Sequence, residues 1–323
     1  MVESLVTERV VLIPEGSSIG QTLVWATALL KSAGVDTPRL DSECLLASLL
    51  RSNRLHLYAA IEERLPPAVF ETYRTLVSRR QARVPLTYLT GTKEFWSLSF
   101  KVTPAVLVPR PETEVLVETA LARLKRLTAP VIVDVGTGSG AIAVALAKML
   151  PSARIYATEI SREALDVARE NAGVHGVAGQ IAFLRGDLLE PVFARGLIGQ
   201  CDLIVSNPPY VATTDLAVLP PEAHYEPLEA LDGGPDGLWC HRQIITGALT
   251  LLRPGGWLAL EMAPEQEIFL IRLLRDRGGF PDVEVVPDLG GRKRMIMACS
   301  TGPGFVPCRG SSPEQDTLGM NGV

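Results

Sequence analysis

Between residues 20 and 84 apolar positions return every three or four residues, as in QTLVWATALLKSAG, RLDSECLLASLLRSN and PPAVFETYRTLVSRRQA. That period puts Leu and Ala on one face of a helix, and Gly34 and the Pro66–Pro67 pair interrupt it. Four or five short helices in a small bundle are predicted. The pattern changes in PLTYLTGTKEFWSLSFKVTPAVLVPRP (85–111), where β-branched and aromatic residues mix with Pro and Gly. A hairpin or short strands are predicted there. From about residue 112 strand-like and helix-like runs alternate. The strand-like runs fall at 131–135, 154–158, 181–184, 202–206, 257–262, 283–287 and 294–299, with AIAVALAKML and REALDVAREN among the helical ones. Seven strands with helices between them predict an α/β fold, a mostly parallel sheet covered on both faces. The chain thus divides into a helical bundle (1–84), a hairpin linker (85–111), a sheet domain (112–300) and a tail (301–323) rich in Gly, Pro and Ser that is expected to be disordered. Residues 1 to about 18 show little periodicity.

Composition narrows the setting. Hydrophobic residues make up 47% and charged residues 21% of 323, as in an ordinary globular protein of two domains. A net charge of -5 argues against a general nucleic-acid coat. Locally, seven arginines face three glutamates between Arg51 and Arg83, which reads either as a solvated helix face or as a contact surface for a larger partner. Five scattered cysteines never form Cys-x-x-Cys, so neither a disulfide framework nor a structural zinc site is expected and no metal is invoked. The start lacks a basic region leading into an apolar one, and no run reaches the roughly 18 apolar residues of a membrane span. A cytoplasmic protein is expected.

The chemistry gathers at the predicted strand ends. In VIVDVGTGSGAIAVALA a strand meets glycines 136, 138 and 140 and then a helix. Gly136 permits a tight turn, Gly138 keeps side chains away from a ligand, and Gly140 lets the helix approach the sheet. The spacing departs from the dinucleotide G-x-G-x-x-G. Asp134 would repel a pyrophosphate, but it could help to orient the ammonium of a zwitterionic amino-acid end. Glu159 ends the second strand, where a carboxylate can accept from both ribose hydroxyls. Asp187 follows the third strand, within reach of an adenine amino group. Together they describe an adenosine with a non-phosphate appendage, for which S-adenosylmethionine is the candidate.

After the fourth strand comes Asn207-Pro208-Pro209-Tyr210. Proline has a fixed φ and no N–H, so the backbone carbonyls here, Pro208's above all, can be held outward as rigid acceptors, and the Asn207 side-chain oxygen adds another. Two acceptors can grip the two hydrogens of a planar NH2 group, in a carboxamide or in an exocyclic base amine. Gripping orients the weakly nucleophilic nitrogen and favours the positive charge that develops as it loses planarity. Tyr210 can stack on the planar group, and no strong general base is in view.

At this point the chain resembles the peptide chain release factor glutamine methyltransferases. The resemblance rests on PLTYLTGTKEFWSLSFKVTPAVLVPRPETEVLVE (85–118), DVGTGSG (134–140), SNPPY (206–210), EPLEALDGGPDGL (226–238) and DLGGRKRMI (288–296). It implies a seven-stranded class I S-adenosylmethionine-dependent methyltransferase, Rossmann-like, with a small N-terminal helical domain that engages the release factor. The implied reaction carries a methyl group from S-adenosylmethionine to the side-chain amide of the glutamine in the factor's Gly-Gly-Gln loop, leaving S-adenosylhomocysteine. The resemblance gives Gly136, Thr137, Gly138, Ser139, Gly140 and Glu159 to the cofactor, with Leu188 flanking the adenine beside Asp187. It gives Asn207 to both cofactor and substrate, Pro208, Pro209 and Tyr210 to the glutamine pocket, and Arg110, Pro111 and Glu112 to a segment closing the cofactor site. The chain departs from the family in having Glu159 where many relatives have Asp, and Glu261-Met262-Ala263 where Glu-Ile-Gly is usual. Asn-Pro-Pro-Tyr is shared with adenine-N6 DNA and guanine-N2 ribosomal RNA enzymes, so a nucleic-acid amino methyltransferase is the alternative. Such an enzyme should carry a basic face or an added recognition domain. The expected form is a monomer that does not bind DNA directly.

Overall fold

In the computed structural model of the chain, residues 16–301 are described. The expectations for the first residues of the lead-in and for 302–323 of the tail lie outside them. Two compact units form, and the described parts of the first are 16–93, 101–108 and 218–227. It holds α1 (Ile19–Ser32), α2 (Pro38–Leu49), α3 (Arg54–Ala59), α4 (Pro67–Gln81) and the short α5 (Leu86–Thr90). Local chemistry sets their ends. Ser18 and Gln21 exchange side-chain and backbone hydrogen bonds to start α1, Pro38 and Pro67 open α2 and α4, and Gly91 closes α5 at a φ of 76°. Leu23, Leu30, Leu45, Leu46, Leu57 and Val77 build the core, with Tyr73 donating to the Ser42 carbonyl at 2.9 Å.

Charges inside this unit are paired. Buried Glu43 accepts from Arg39, Arg54 and Tyr58. Buried Arg80 joins Asp41 at 2.7 Å and Glu222 at 2.9 Å, and Arg83 grips both oxygens of Glu222. Of the arginines between 51 and 83, Arg54, Arg74, Arg80 and Arg83 thus have acidic partners within the unit. The excess of basic residues in that stretch is answered largely by carboxylates supplied from elsewhere in sequence.

The second unit, residues 94–100, 109–217 and 228–301, takes in the tip of a hairpin formed by β1 (Thr92–Phe95) and β2 (Leu98–Lys101). Its turn residues Trp96 and Ser97 have φ of 54° and 55° without being glycine, a strained choice for a two-residue turn. Glu114 accepts the Trp96 N–H at 2.9 Å and holds that turn. Then follow α6 (Glu112–Leu124), β3 (Val131–Val135), α7 (Ala141–Met149), β4 (Arg154–Glu159), α8 (Arg162–Val174), β5 (Ile181–Arg185), α9 (Glu190–Ala194), β6 (Cys201–Ser206), α10 (Trp239–Leu251), β7 (Leu252–Glu261), α11 (Glu267–Arg277), β8 (Asp282–Pro287) and β9 (Lys293–Cys299).

Seven of these strands form one sheet in the order β5-β4-β3-β6-β7-β9-β8. β5, β4, β3, β6 and β7 pair in parallel with one another, and β9 runs antiparallel to both β7 and β8. Each strand-like run of the sequence is a strand here. Being covered on both faces, β3 and β6 are buried along their whole length. One core lies under α6 and α7, with Leu116, Val144, Leu203 and Met297; the other lies under α10 and α11, with Val133, Ile204, Ile244 and Leu270. The strand order reverses between β3 and β6, which opens a crevice at their carboxyl ends. Among the described residues no helix is long and apolar enough to cross a membrane.

Candidate active site

Register places the site. Val135 pairs with Thr158 on one side and Ser206 on the other, and Ser206 pairs with Leu260. One residue further along each strand stand Gly136, Glu159, Asn207 and Glu261. Four residues far apart in sequence therefore form a row along the carboxyl edge of the sheet. Ser206 ties the row together by donating to the Val135 carbonyl at 2.7 Å.

At the β3 end the glycine loop curls back, with Gly136 and Thr137 N–H both donating to the Thr158 carbonyl at 2.9 Å. Gly136 and Gly138 have φ of 69° and 54°, and a Cβ added to either would meet nothing within 4 Å. They leave a cradle that ordinary side chains would occupy. Gly140 differs, because a Cβ there would lie 3.2 Å from the Ala168 Cβ. The close approach it permits is that of α8, not of the sheet as its sequence position suggested. Ser139 is held from the same helix, where Asn171 donates to its carbonyl at 2.8 Å.

Asp134 is fully buried beneath this loop. Its Oδ2 accepts from the Thr137 hydroxyl at 2.6 Å and from the Ala143 N–H at 3.2 Å. Its Oδ1 has no partner among the described residues. Burial, opposed by those two hydrogen bonds, pushes its carboxyl up to about 7. Glu159 accepts from the Gly138 N–H at 2.9 Å through one oxygen, and from the Ile160 and Ser161 N–H groups through the other. Its carboxylate is fixed across the mouth of the cradle, and each oxygen keeps lone-pair capacity for a further donor. A glycine cradle, an unmet buried carboxylate oxygen and an oriented acidic acceptor suit a ligand with an ammonium group and a diol. Asp187 and Leu188 lie past β5, lining a cleft of about 440 Å³ that Phe193 and Trp239 also face. Leu188 holds a φ of 42°, uncommon for leucine.

At the β6 end Asn207 donates through Nδ2 to the Thr113 hydroxyl oxygen at 3.3 Å. Thr113 in turn donates to Glu261 Oε2 at 2.7 Å, and the Tyr210 hydroxyl donates to Glu261 Oε1 at 3.3 Å. No donor among the described residues engages Asn207 Oδ1 or the Pro208 carbonyl. Burial pushes the Glu261 carboxyl up to about 7 against the pull of Thr113 and Tyr210. Burial, then Glu261, raises the Tyr210 phenol, while Arg110 lowers it. Glu112, which opens α6 beside Thr113, adds its charge to the field on Glu261. Arg110 and Glu112 from one sequence motif and Asn207 and Tyr210 from another thus act on one cluster. Thr113 and Glu261 were missed. Glu261 stood out only as part of an altered tripeptide, and the signal that could have found it is an acidic residue closing the most apolar part of β7.

A loop buttresses the Asn-Pro-Pro-Tyr segment from behind. The Val211 N–H donates to the Leu231 carbonyl at 3.0 Å, the Gly233 N–H donates to the Val211 carbonyl at 2.8 Å, and Gln266 donates to the carbonyls of Tyr210 and Gly237, each at 3.0 Å. A Cβ on Gly233 would lie 2.8 Å from the Pro209 carbonyl oxygen, and one on Gly237 would collide with that of Tyr210. These glycines in EALDGGPDGL are therefore where the loop presses on backbone.

Residues 21–91 match the PrmC N-terminal domain family, and residues 111–219 match the methyltransferase small domain family. The release factor glutamine methyltransferase of Moorella thermoacetica is 48% identical over 87% of this chain and 98% of its own length. That of Geobacter sulfurreducens is 43% identical over 88% and 97%, and that of Deinococcus radiodurans 41% over 87% and 98%. Among solved structures, the hMettl16 catalytic domain in complex with MAT2A 3'UTR hairpin 6 superposes with a TM-score of 0.54 at 19% identity, covering 70% of this chain and 81% of that one. That likeness is one of fold, a class I methyltransferase sheet.

Proposed function

The chain belongs to the release factor glutamine methyltransferase family, and from that premise we propose that it methylates the side-chain amide nitrogen, N5, of the glutamine in the Gly-Gly-Gln loop of peptide chain release factors. The methyl donor is S-adenosylmethionine, whose sulfonium supplies an activated methyl group when bound. Gly136, Thr137, Gly138, Ser139 and Gly140 would frame its amino-acid end, with Asp134 Oδ1 facing the ammonium. Glu159 would accept from the ribose hydroxyls, and Asp187 and Leu188 would flank the adenine. Arg110, Pro111 and Glu112 would close the site from the segment that leads into α6.

The observation that carries this reading is the pair of acceptors at the end of β6, Asn207 Oδ1 and the Pro208 carbonyl, that no donor among the described residues engages. Accepting from both hydrogens of a carboxamide NH2, they would turn its nitrogen toward the methyl donor. As the new N–C bond forms, positive charge grows on nitrogen, and the same two oxygens stabilise it. The surplus proton then leaves to Asn207, a carbonyl or water, because a methylated and cationic amide nitrogen is strongly acidic. Pro209 and Tyr210 complete the pocket wall, Tyr210 with its hydroxyl anchored on Glu261. The reading extends to a cytoplasmic monomer that acts on the release factor itself and does not bind DNA. Incubation with a purified release factor and labelled donor, followed by peptide mass analysis, should locate the methyl group on the Gly-Gly-Gln glutamine. Transfer to RNA or DNA with none to protein would reject it.

A further inference from the structure

The Asn207 carboxamide has two ends of nearly equal shape and opposite polarity. Only the oxygen end can accept from a substrate NH2, so the site needs a device that decides which end faces outward. The Thr113 hydroxyl has a single proton, and it is committed to Glu261 Oε2 at 2.7 Å. An ionised carboxylate only accepts, so on its other side Thr113 Oγ1 can only accept as well. The Asn207 Nδ2 group lies there at 3.3 Å. We infer that Thr113 and Glu261 are positioning residues that set the polarity of the Asn207 carboxamide, holding its NH2 inward and presenting Oδ1 to the amide being methylated. This rests on the reading of Asn207 as the acceptor for the substrate.

The same carboxylate governs the far end of the segment, since its other oxygen receives the Tyr210 hydroxyl. His241, fully buried, donates from Nε2 to the Glu261 backbone carbonyl at 2.9 Å and fixes the residue at the end of β7. The groups acting on the Glu261 carboxyl are Thr113 and Glu112 from α6, Tyr210 from the pocket and Arg294 from β9. Burial outweighs the favourable ones and brings its titration to about 7. Protonated, Glu261 offers a donor to Thr113, whose own proton is then released to Asn207, and the carboxamide turns over. Activity therefore falls as pH drops through that range.

The test compares Thr113→Val, Thr113→Ser, Glu261→Gln and Asn207→Ala with the natural chain, using purified release factor and S-adenosylmethionine. Thr113→Val keeps the shape and removes the hydroxyl. It should lower kcat more than about tenfold while KM for the release factor and Kd for the cofactor stay within about threefold. Thr113→Ser should restore kcat to within about threefold of the natural chain. The acid limb of the kcat profile should persist in Thr113→Ser and vanish in Thr113→Val and Glu261→Gln. A Thr113→Val enzyme within about twofold of normal kcat overturns the inference, as does Thr113→Ser failing as badly as Thr113→Val, which would mark a packing role. If Thr113→Val does not fold, an acid limb retained in Glu261→Gln overturns it. Near-normal turnover by Asn207→Ala would instead remove the premise. An inactive Asn207→Ala beside a normal Thr113→Val would remove only the inference.

Discussion

At the scale of single residues, the roles proposed for Asn207 and Glu159 differ, and their substitutions should separate chemistry from binding. Asn207→Ala removes an acceptor that no donor among the described residues uses, so the fold and most of the cofactor affinity should be kept. Its kcat should fall by about two orders of magnitude or more, as for loss of a group that stabilises developing charge. Near-normal turnover in a single-turnover assay would contradict that role. Glu159→Ala should weaken cofactor binding by about tenfold or more, the loss of charged hydrogen bonds to a diol. Calorimetry with unchanged affinity would sink the assignment. Both positions were legible in sequence because each directly follows an apolar run, and such runs end at the carboxyl edge of a parallel sheet. Thr113 was not legible in the same way. Its hydroxyl matters because α6 packs beside β7, and no local pattern in LVPRPETE announces that neighbour.

At the scale of elements, the glycines sort into those that leave room and those that allow contact. Gly138→Ala should be tolerated by the fold at a strain of about 1 kcal/mol, since a Cβ there meets open space at a φ of 54°. Its cofactor affinity should fall nonetheless, because that open space is the cradle. Gly237→Ala should behave oppositely, because its Cβ would collide with the Tyr210 carbonyl. It should lower stability by about 2 kcal/mol or more and reduce kcat through displacement of the pocket. Thermal denaturation and cofactor titration on both variants would distinguish the two classes, and equal behaviour would refute the division. The strands were readable because each apolar run meets Gly, Pro or a charged residue at one end or both. The loop from 226 to 238 was readable only as a signature, since its purpose lies in pressing on the carbonyls of Pro209 and Tyr210. Likewise the sequence pattern at Gly140 implies a close approach to the sheet, whereas the neighbour is Ala168 of α8, which depends on how that helix folds back over the loop.

At the scale of the whole molecule, two buried carboxyls make stability depend on pH in an unusual direction. Asp134 and Glu261 both titrate near 7 in the folded chain, above their ordinary values near 4. Folded protein therefore binds these protons more tightly than unfolded protein does. Their contribution is complete below about pH 4 and is lost as pH rises to about 7. Glu261→Gln removes one such group, so the natural chain should lose on the order of 1–3 kcal/mol more than this variant between pH 4.5 and 7.5. Urea unfolding at a series of pH values would show it, and parallel curves would exclude it. The sheet has one further consequence. β9, the last strand of the order in sequence, is inserted between β7 and β8 rather than added at the rim. Until residues 293–299 have been synthesised, β7 has an unpaired edge and β8 has no neighbour at all. The sheet cannot be completed progressively as the chain emerges during translation, and an unfinished chain halted before this point would expose an apolar edge prone to pairing with other chains.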